Sequence, residues 1–174
     1  PHEDDGNGVT FREAATGKVL WQHPRPGVDV GRGVAANILA SHRGAECWGA
    51  SGLGVYDVKG NYIGSYNVSM NFRIFWDGDV LEELLNGTSI TKVDKVILQA
   101  SNVHSNNGTK STPTLSADLF GDWREEVIWP TIDNKKLRVY TTTDLTNERL
   151  YTLMHDSQYR VAIAWQNTAY NQPP

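Results

Sequence analysis

The feature that most constrains this chain is a recurring acidic loop. Asp118-Leu119-Phe120-Gly121-Asp122-Trp123-Arg124-Glu125-Glu126 carries acids at its first, fifth and ninth positions and runs directly into the apolar stretch Val127-Ile128-Trp129. Upstream, Phe75-Trp76-Asp77-Gly78-Asp79-Val80-Leu81-Glu82-Glu83 keeps acids at the third, fifth and ninth positions of the same frame, with glycine again at the fourth. A looser copy runs from Asn37 to Glu46, preceded by Ala35-Ala36 much as Ser116-Ala117 precede Asp118. The closing glutamates Glu46, Glu83 and Glu126 are 37 and 43 residues apart. A repeat of ~40–45 residues is what one four-stranded propeller blade occupies. The spacing therefore predicts an all-β chain built of β-propeller blades with calcium loops. About four blade-sized units fit the length, whereas closed propellers hold up to about eight blades, so the expected object is part of a larger propeller or an open one.

Local signals fall in phase with the repeat. Thr16-Gly17-Lys18-Val19-Leu20-Trp21, Lys59-Gly60-Asn61-Tyr62-Ile63 and Asp133 through Tyr140 each read as a polar turn followed by a β-rich stretch. The best helical candidate is Asp79 to Leu85, ending at Asn86-Gly87, and the last residues before Gln172-Pro173-Pro174 read as an aromatic, strand-like run.

The acidic positions predict calcium, which takes six to eight oxygen ligands and suits a short loop that turns at a glycine. Asp118, Asp122 and Glu126 form one expected ligand set, and Asp77, Asp79 and Glu83 a second, with Phe75 in place of a first acid. In the looser copy the candidates are Asn37 and Glu46; with Asn37 and Leu39 where acids are expected, Glu46 is alternatively a partner of backbone amides. A net charge of −4 without a basic run argues against nucleic acid, whose phosphates call for clustered Lys and Arg. No apolar stretch approaches the ~20 residues of a membrane span. The single cysteine, Cys47, has no internal disulfide partner and reads as a half-buried spectator. The histidines are not spaced for zinc, and His155 beside Asp156 reads as a hydrogen-bonding pair within a blade. Sequons at Asn67, Asn86 and Asn107 read as chance. The termini read as those of a piece from a longer protein, with two raw blade edges that invite self-association.

Several long strings, in order and spanning nearly the whole chain, resemble the rhamnogalacturonan lyases of polysaccharide lyase family 11. They are Asp29-Val30-Gly31-Arg32-Gly33, Asn71 through Asp79, Ser105-Asn106-Asn107-Gly108-Thr109-Lys110, Asp118 through Trp129, Tyr151 through Asp156, and Ala164 through Pro173. The resemblance implies the C-terminal part, residues 1–174 throughout, of an eight-bladed, calcium-rich propeller with a cleft at its hub. It implies a secreted enzyme that cleaves the α-1,4 rhamnose–galacturonate bond of rhamnogalacturonan I, or of pectin oligosaccharides, by β-elimination.

That chemistry needs a cation on the uronate carboxylate, a base for the C5 proton, and stabilisation of charge on the leaving oxygen. Lys110 is the first candidate: a lysine held in a cleft near other cations can act as a base, and one that stays charged can clamp the uronate. The resemblance makes Asn107, Gly108 and Thr109 substrate contacts, Arg32 the partner of Lys110, and Tyr170 a residue that touches the sugar. It also makes His2, Glu3 and Asp4 metal ligands. Read from local sequence alone, Asn106-Asn107-Gly108 is a tight turn beside a solvated lysine. Two rivals to the lyase remain: a calcium-stabilised propeller module that binds carbohydrate without cleaving it, and a hydrolase working through paired carboxylates.

Overall fold

The computed structural model describes residues 2–4, 8–24, 30–49, 53–166 and 168, with the backbone alone for 2–4 and Thr109. These residues form four antiparallel sheets in which the strands follow one another in chain order. The first holds β1 (His2–Asp4), β2 (Gly8–Arg12) and β3 (Val19–His23), and the second β4 (Val34–Ala36), β5 (Glu46–Trp48), β6 (Val55–Asp57) and β7 (Tyr62–Gly64). The third holds β8 (Phe72–Ile74), β9 (Glu83–Asn86), β10 (Ser89–Lys92) and β11 (Lys95–Gln99), and the fourth β12 (Leu115–Ala117), β13 (Glu126–Pro130) and β14 (Leu137–Tyr140). The all-β expectation holds, with each sheet a simple meander. The chain divides into two compact units, Pro1–Met70 and Asn71–Pro174.

In the first unit an aromatic ladder joins the two sheets. Trp21 stacks on Phe11 at 5.4 Å and donates its indole N–H to Val58 O at 3.0 Å, while His23 stacks on Tyr56 at 3.9 Å. The hairpin after β6 is set by Asp57, whose Oδ1 accepts from the amides of Lys59 and Asn61, each at 2.8 Å. Gly60 has a φ of +85°, and a Cβ there would meet Trp21 Cγ at 2.8 Å, so both the turn and the ladder need glycine.

In the second unit Phe72, Ile74, Leu85 and Ile90 from the third sheet, with Trp76 from the loop after β8, pack with Val127 and Trp129 from the fourth. Trp129 is wholly buried and donates its N–H to Gly87 O at 3.0 Å. It therefore fastens β13 to the turn between β9 and β10 by both packing and a hydrogen bond.

Three sequence expectations fail. Asp79 to Leu85 is not helical: residues 79–81 are bends and Glu83 already begins β9. Helix propensity loses here to burial, since Leu84 and Leu85 are wholly buried in the sheet. Of the final aromatic run, the part up to Trp165 is not a strand either, and residues 167 and 169–171 lie outside the described residues. Ser157–Trp165 is the α-helix α1, capped by Asp156, whose carboxylate accepts from the amides of Gln158 and Tyr159. His155 and Asp156 are not a pair within a blade: Asp156 caps α1 and His155 stacks on Tyr151 at 5.8 Å.

Candidate functional site

The recurring acids do one job three times. Glu46, Glu83 and Glu126 each open the second strand of their sheet, and all three are buried. Each aims Oε2 back at two successive amides of the preceding loop. Glu46 accepts from Ile38 at 2.8 Å and Leu39 at 3.1 Å. Glu83 accepts from Trp76 at 2.9 Å and Asp77 at 3.2 Å, and Glu126 from Leu119 at 2.9 Å and Phe120 at 3.1 Å. A buried carboxylate with two amide donors fixes the loop's shape, because neither amide has a strand partner. The second oxygen differs among the copies. Oε1 of Glu46 is buried without a hydrogen-bond partner, Oε1 of Glu83 lies 3.2 Å from Lys92 Nζ, and Oε1 of Glu126 accepts from Thr141 at 3.0 Å.

Asp118, Asp122 and Glu126 are not gathered around one point. Among the described residues the group of three acids whose ligand atoms lie within 4.8 Å of one another is Asp77, Asp79 and Glu83. Asp118 instead spends its carboxylate on protein donors. Oδ1 accepts from Gly121 N at 2.8 Å; Oδ2 accepts from Trp123 N at 3.2 Å, Thr152 Oγ1 at 2.6 Å and Leu153 N at 2.8 Å. It thus ties its own loop to the segment leading into α1. Asp122 pairs with Arg124 at 2.6 Å.

Asp77, Asp79 and Glu83 are close enough to hold a metal ion, and a cation of the chain already reaches all three. Lys92 Nζ lies 2.5 Å from Asp77 Oδ2, 2.7 Å from Asp79 Oδ2 and 3.2 Å from Glu83 Oε1. Burial pushes the Glu83 carboxyl up to about 7. Burial works hardest against the charged form of Asp77, but the hydrogen bond and charge of Lys92 together with the Asp79 amide outweigh it and hold Asp77 below its ordinary value. For Lys92 desolvation is overcome by the hydrogen bonds to Asp77 and Asp79, which raise its pKa.

Lys110 sits in a small loop closed by a bridge between Asn106 and Thr112, whose amides and carbonyls exchange hydrogen bonds at 2.7 and 3.0 Å. Gly108–Lys110 forms one 3-10 turn, and Asn107 Nδ2 donates to Thr112 Oγ1 at 3.2 Å. Asn107 and Ser111, on either side of that turn, have φ of 60° and 52°. Left-handed backbone at a non-glycine residue costs of order 1–3 kcal/mol and clusters at functional sites. Arg32 lies in the other unit and is buried, which lowers its guanidinium pKa by desolvation. Gly31 before it has a φ of +66°, and a Cβ there would strike Met70 Cε at 2.6 Å. Tyr170, the Thr109 side chain and the side chains of His2, Glu3 and Asp4 fall outside the described residues. Cys47 is wholly rather than half buried, and burial pushes its thiol up to about 11, far from a nucleophile's range.

Residues that sequence reasoning passed over hold the second unit together. Tyr159 of α1 donates its hydroxyl to Glu125 Oε1 at 2.7 Å and accepts from Asp118 N at 2.9 Å. Gln166 acts as a strand partner: its side-chain amide accepts from Ser116 N at 2.8 Å and donates to Ser116 O at 2.6 Å. Burial raises the Glu125 carboxyl above its ordinary 4.5, against the opposing influence of Arg73 and Tyr159. Below about pH 4.5 folded and unfolded chains both carry this proton; above it the unfolded chain ionises first, so Glu125 costs stability as pH climbs toward its raised folded value. Glu125→Gln is expected to flatten that decline, read as urea midpoints at several pH values. A decline of unchanged steepness would refute the assignment.

Comparison with known proteins supplies the remaining context. Residues 1–174 match the model of rhamnogalacturonan lyase family 11, C-terminal domain. The rhamnogalacturonan endolyase YesW of Bacillus subtilis (strain 168) is 55% identical over 182 residues, which cover 99% of this chain and 29% of that protein. The rhamnogalacturonan exolyase YesX of the same strain is 49% identical over 197 residues, covering 99% of this chain and 32% of its own length. Among solved structures, the Bacillus licheniformis rhamnogalacturonan lyase PL11 superposes with a TM-score of 0.90 at 50% identity, over 97% of this chain and 30% of that one. The chain thus spans under a third of the length of the curated relatives it matches.

Proposed function

The chain belongs to rhamnogalacturonan lyase family 11, and from that premise we propose that its protein cleaves the α-1,4 bond between L-rhamnose and D-galacturonate in rhamnogalacturonan I by β-elimination. The observation that carries the reading is the Lys110 loop. A lysine on a single 3-10 turn, bracketed by left-handed Asn107 and Ser111, is held where relaxed backbone would not put it. In the proposed reaction one of Lys110 and Arg32 takes the C5 proton of the uronate, and the other, staying charged, binds its carboxylate. The C4–O bond then breaks, the oxygen leaves with the rhamnose and takes up a proton to become its hydroxyl, and the uronate keeps a C4–C5 double bond. Asn107, Gly108, Thr109 and Tyr170 are proposed as sugar contacts. Arg32 is proposed as a further cation of the reaction, its guanidinium fork matching both oxygens of a carboxylate.

Calcium belongs to the proposal as well, since a bound divalent cation neutralises the uronate and so acidifies the C5 proton. Of the three acidic loops, the first fits such an ion best. Glu46 Oε1 is buried without a hydrogen-bond partner, whereas the matching oxygens of Glu83 and Glu126 face Lys92 and Thr141. Asn37 and Glu46 are the ligands proposed there. The meander sheets are the form that propeller blades take, so an eight-bladed propeller is part of the reading. Secretion is too, because the polymer is extracellular.

One observation favours a binding role in addition. A cavity of ≈ 510 Å³ in the second unit is lined by Arg73, Tyr151, His155 and Trp165, among others, and Tyr151 is 86% exposed. Exposed aromatic faces of this sort suit sugar rings. Mass spectrometry of the products separates the readings. A lyase yields an unsaturated uronate end, a hydrolase a saturated one, and a binding module leaves the polymer intact.

A further inference from the structure

We propose that Lys92 is the built-in cation of the second acidic loop, its ammonium group standing where a calcium ion would sit among Asp77, Asp79 and Glu83. The argument is geometric. Lys92 Nζ is within 2.5, 2.7 and 3.2 Å of one oxygen from each acid, and those acids form the group whose ligand atoms come within 4.8 Å of one another. Calcium binds oxygen at about 2.3–2.6 Å, so an ion serving the same three oxygens would overlap the nitrogen. One cation excludes the other.

The rest of the loop is already provided for without metal. Asp77 Oδ1 accepts from Asp79 N at 2.9 Å, Asp79 Oδ1 accepts from Leu81 N at 2.8 Å, and Glu83 Oε2 holds the amides of Trp76 and Asp77. Each acid therefore turns one oxygen to the backbone and the other to Lys92. The three side chains present three oxygens to the ammonium, a set that suits a lysine; a calcium ion in the vacated position would complete its six to eight ligands with water.

Strand register delivers the lysine. β9 and β10 pair Asn86 with Ser89, Leu85 with Ile90 and Leu84 with Thr91. One step further along, Lys92 meets Glu83 at the mouth of the loop. The three copies then differ by the partner of one glutamate oxygen, which is Lys92 here and Thr141 in the third. The inference concerns how the loop is stabilised and does not depend on the lyase reading.

Equilibrium dialysis against calcium, counting ions per chain, tests it. Lys92→Met vacates the position and is expected to bind one more ion than the unaltered chain. Asp79→Asn in the unaltered chain is expected to leave the count as it was. An unchanged count for a folded Lys92→Met would overturn the proposal, as would a count that falls by one in Asp79→Asn. Asp79 is 52% exposed at its side chain, so that second variant remains a usable test even if Lys92→Met does not fold.

Discussion

Lys110→Ala is expected to lower the rate of β-elimination by about 10²–10⁴-fold, the range over which positioned acid–base groups act. That corresponds to roughly 2.7–5.5 kcal/mol of barrier. The kinetic form of the loss distinguishes the two roles open to the residue. A base acts only in the transition state, so its removal lowers kcat and kcat/KM together, whereas removing a carboxylate clamp raises KM. The fold is expected to survive, since Lys110 ends a short surface turn closed by the Asn106–Thr112 bridge and contributes nothing to the buried cluster. A folded Lys110→Ala chain with undiminished turnover would remove this residue from the mechanism.

The largest expected effect on stability comes from Trp129→Ala. Trp129 is wholly buried, packs edge-on to Tyr140 at 5.1 Å, and donates to Gly87 O. Truncating a core tryptophan costs about 3–5 kcal/mol in lost transfer energy and residual cavity. A domain of ordinary stability has about 5–15 kcal/mol in total, so the second unit is left marginal. Trp129→Phe keeps most of the ring and loses the N–H, and should cost less. The measurement is the urea midpoint of each variant; equal midpoints for Ala and wild type would contradict the role assigned to this side chain.

The repeat was legible because it rests on a local geometric need. A loop that must satisfy two successive amides calls for a carboxylate at the entry of the next strand, and Glu46, Glu83 and Glu126 stand at that place in three sheets. The purpose of the acids was less legible. Calcium and backbone amides make similar demands on a carboxylate, and only the donors distinguish them. For Asp118 two of those donors are Thr152 and Leu153, over thirty residues downstream, where spacing gives no sign of contact. The glutamate reading anticipated for Glu46 alone extends to all three copies.

The misassigned helix at Asp79 to Leu85 had a local correction available. Asn86-Gly87 between apolar stretches is a strong hairpin signal. Taken as a hairpin, it sets β9 against β10 and brings Lys92 opposite Glu83, the contact that sequence reasoning missed. The terminal helix was harder to see. Val161, Ile163 and Trp165 alternate with Ala162 and Ala164 as strand residues would, while an aspartate such as Asp156 starts a turn as readily as it caps a helix.

The proposed reaction is an elimination rather than a hydrolysis or binding alone. Its most direct test follows the ultraviolet absorbance of unsaturated uronate while the protein is incubated with rhamnogalacturonan I, once with calcium and once with a chelator. Absorbance is expected to rise with calcium and to stay flat with the chelator. Chain cleavage that leaves saturated ends, with no absorbance in either sample, would contradict elimination.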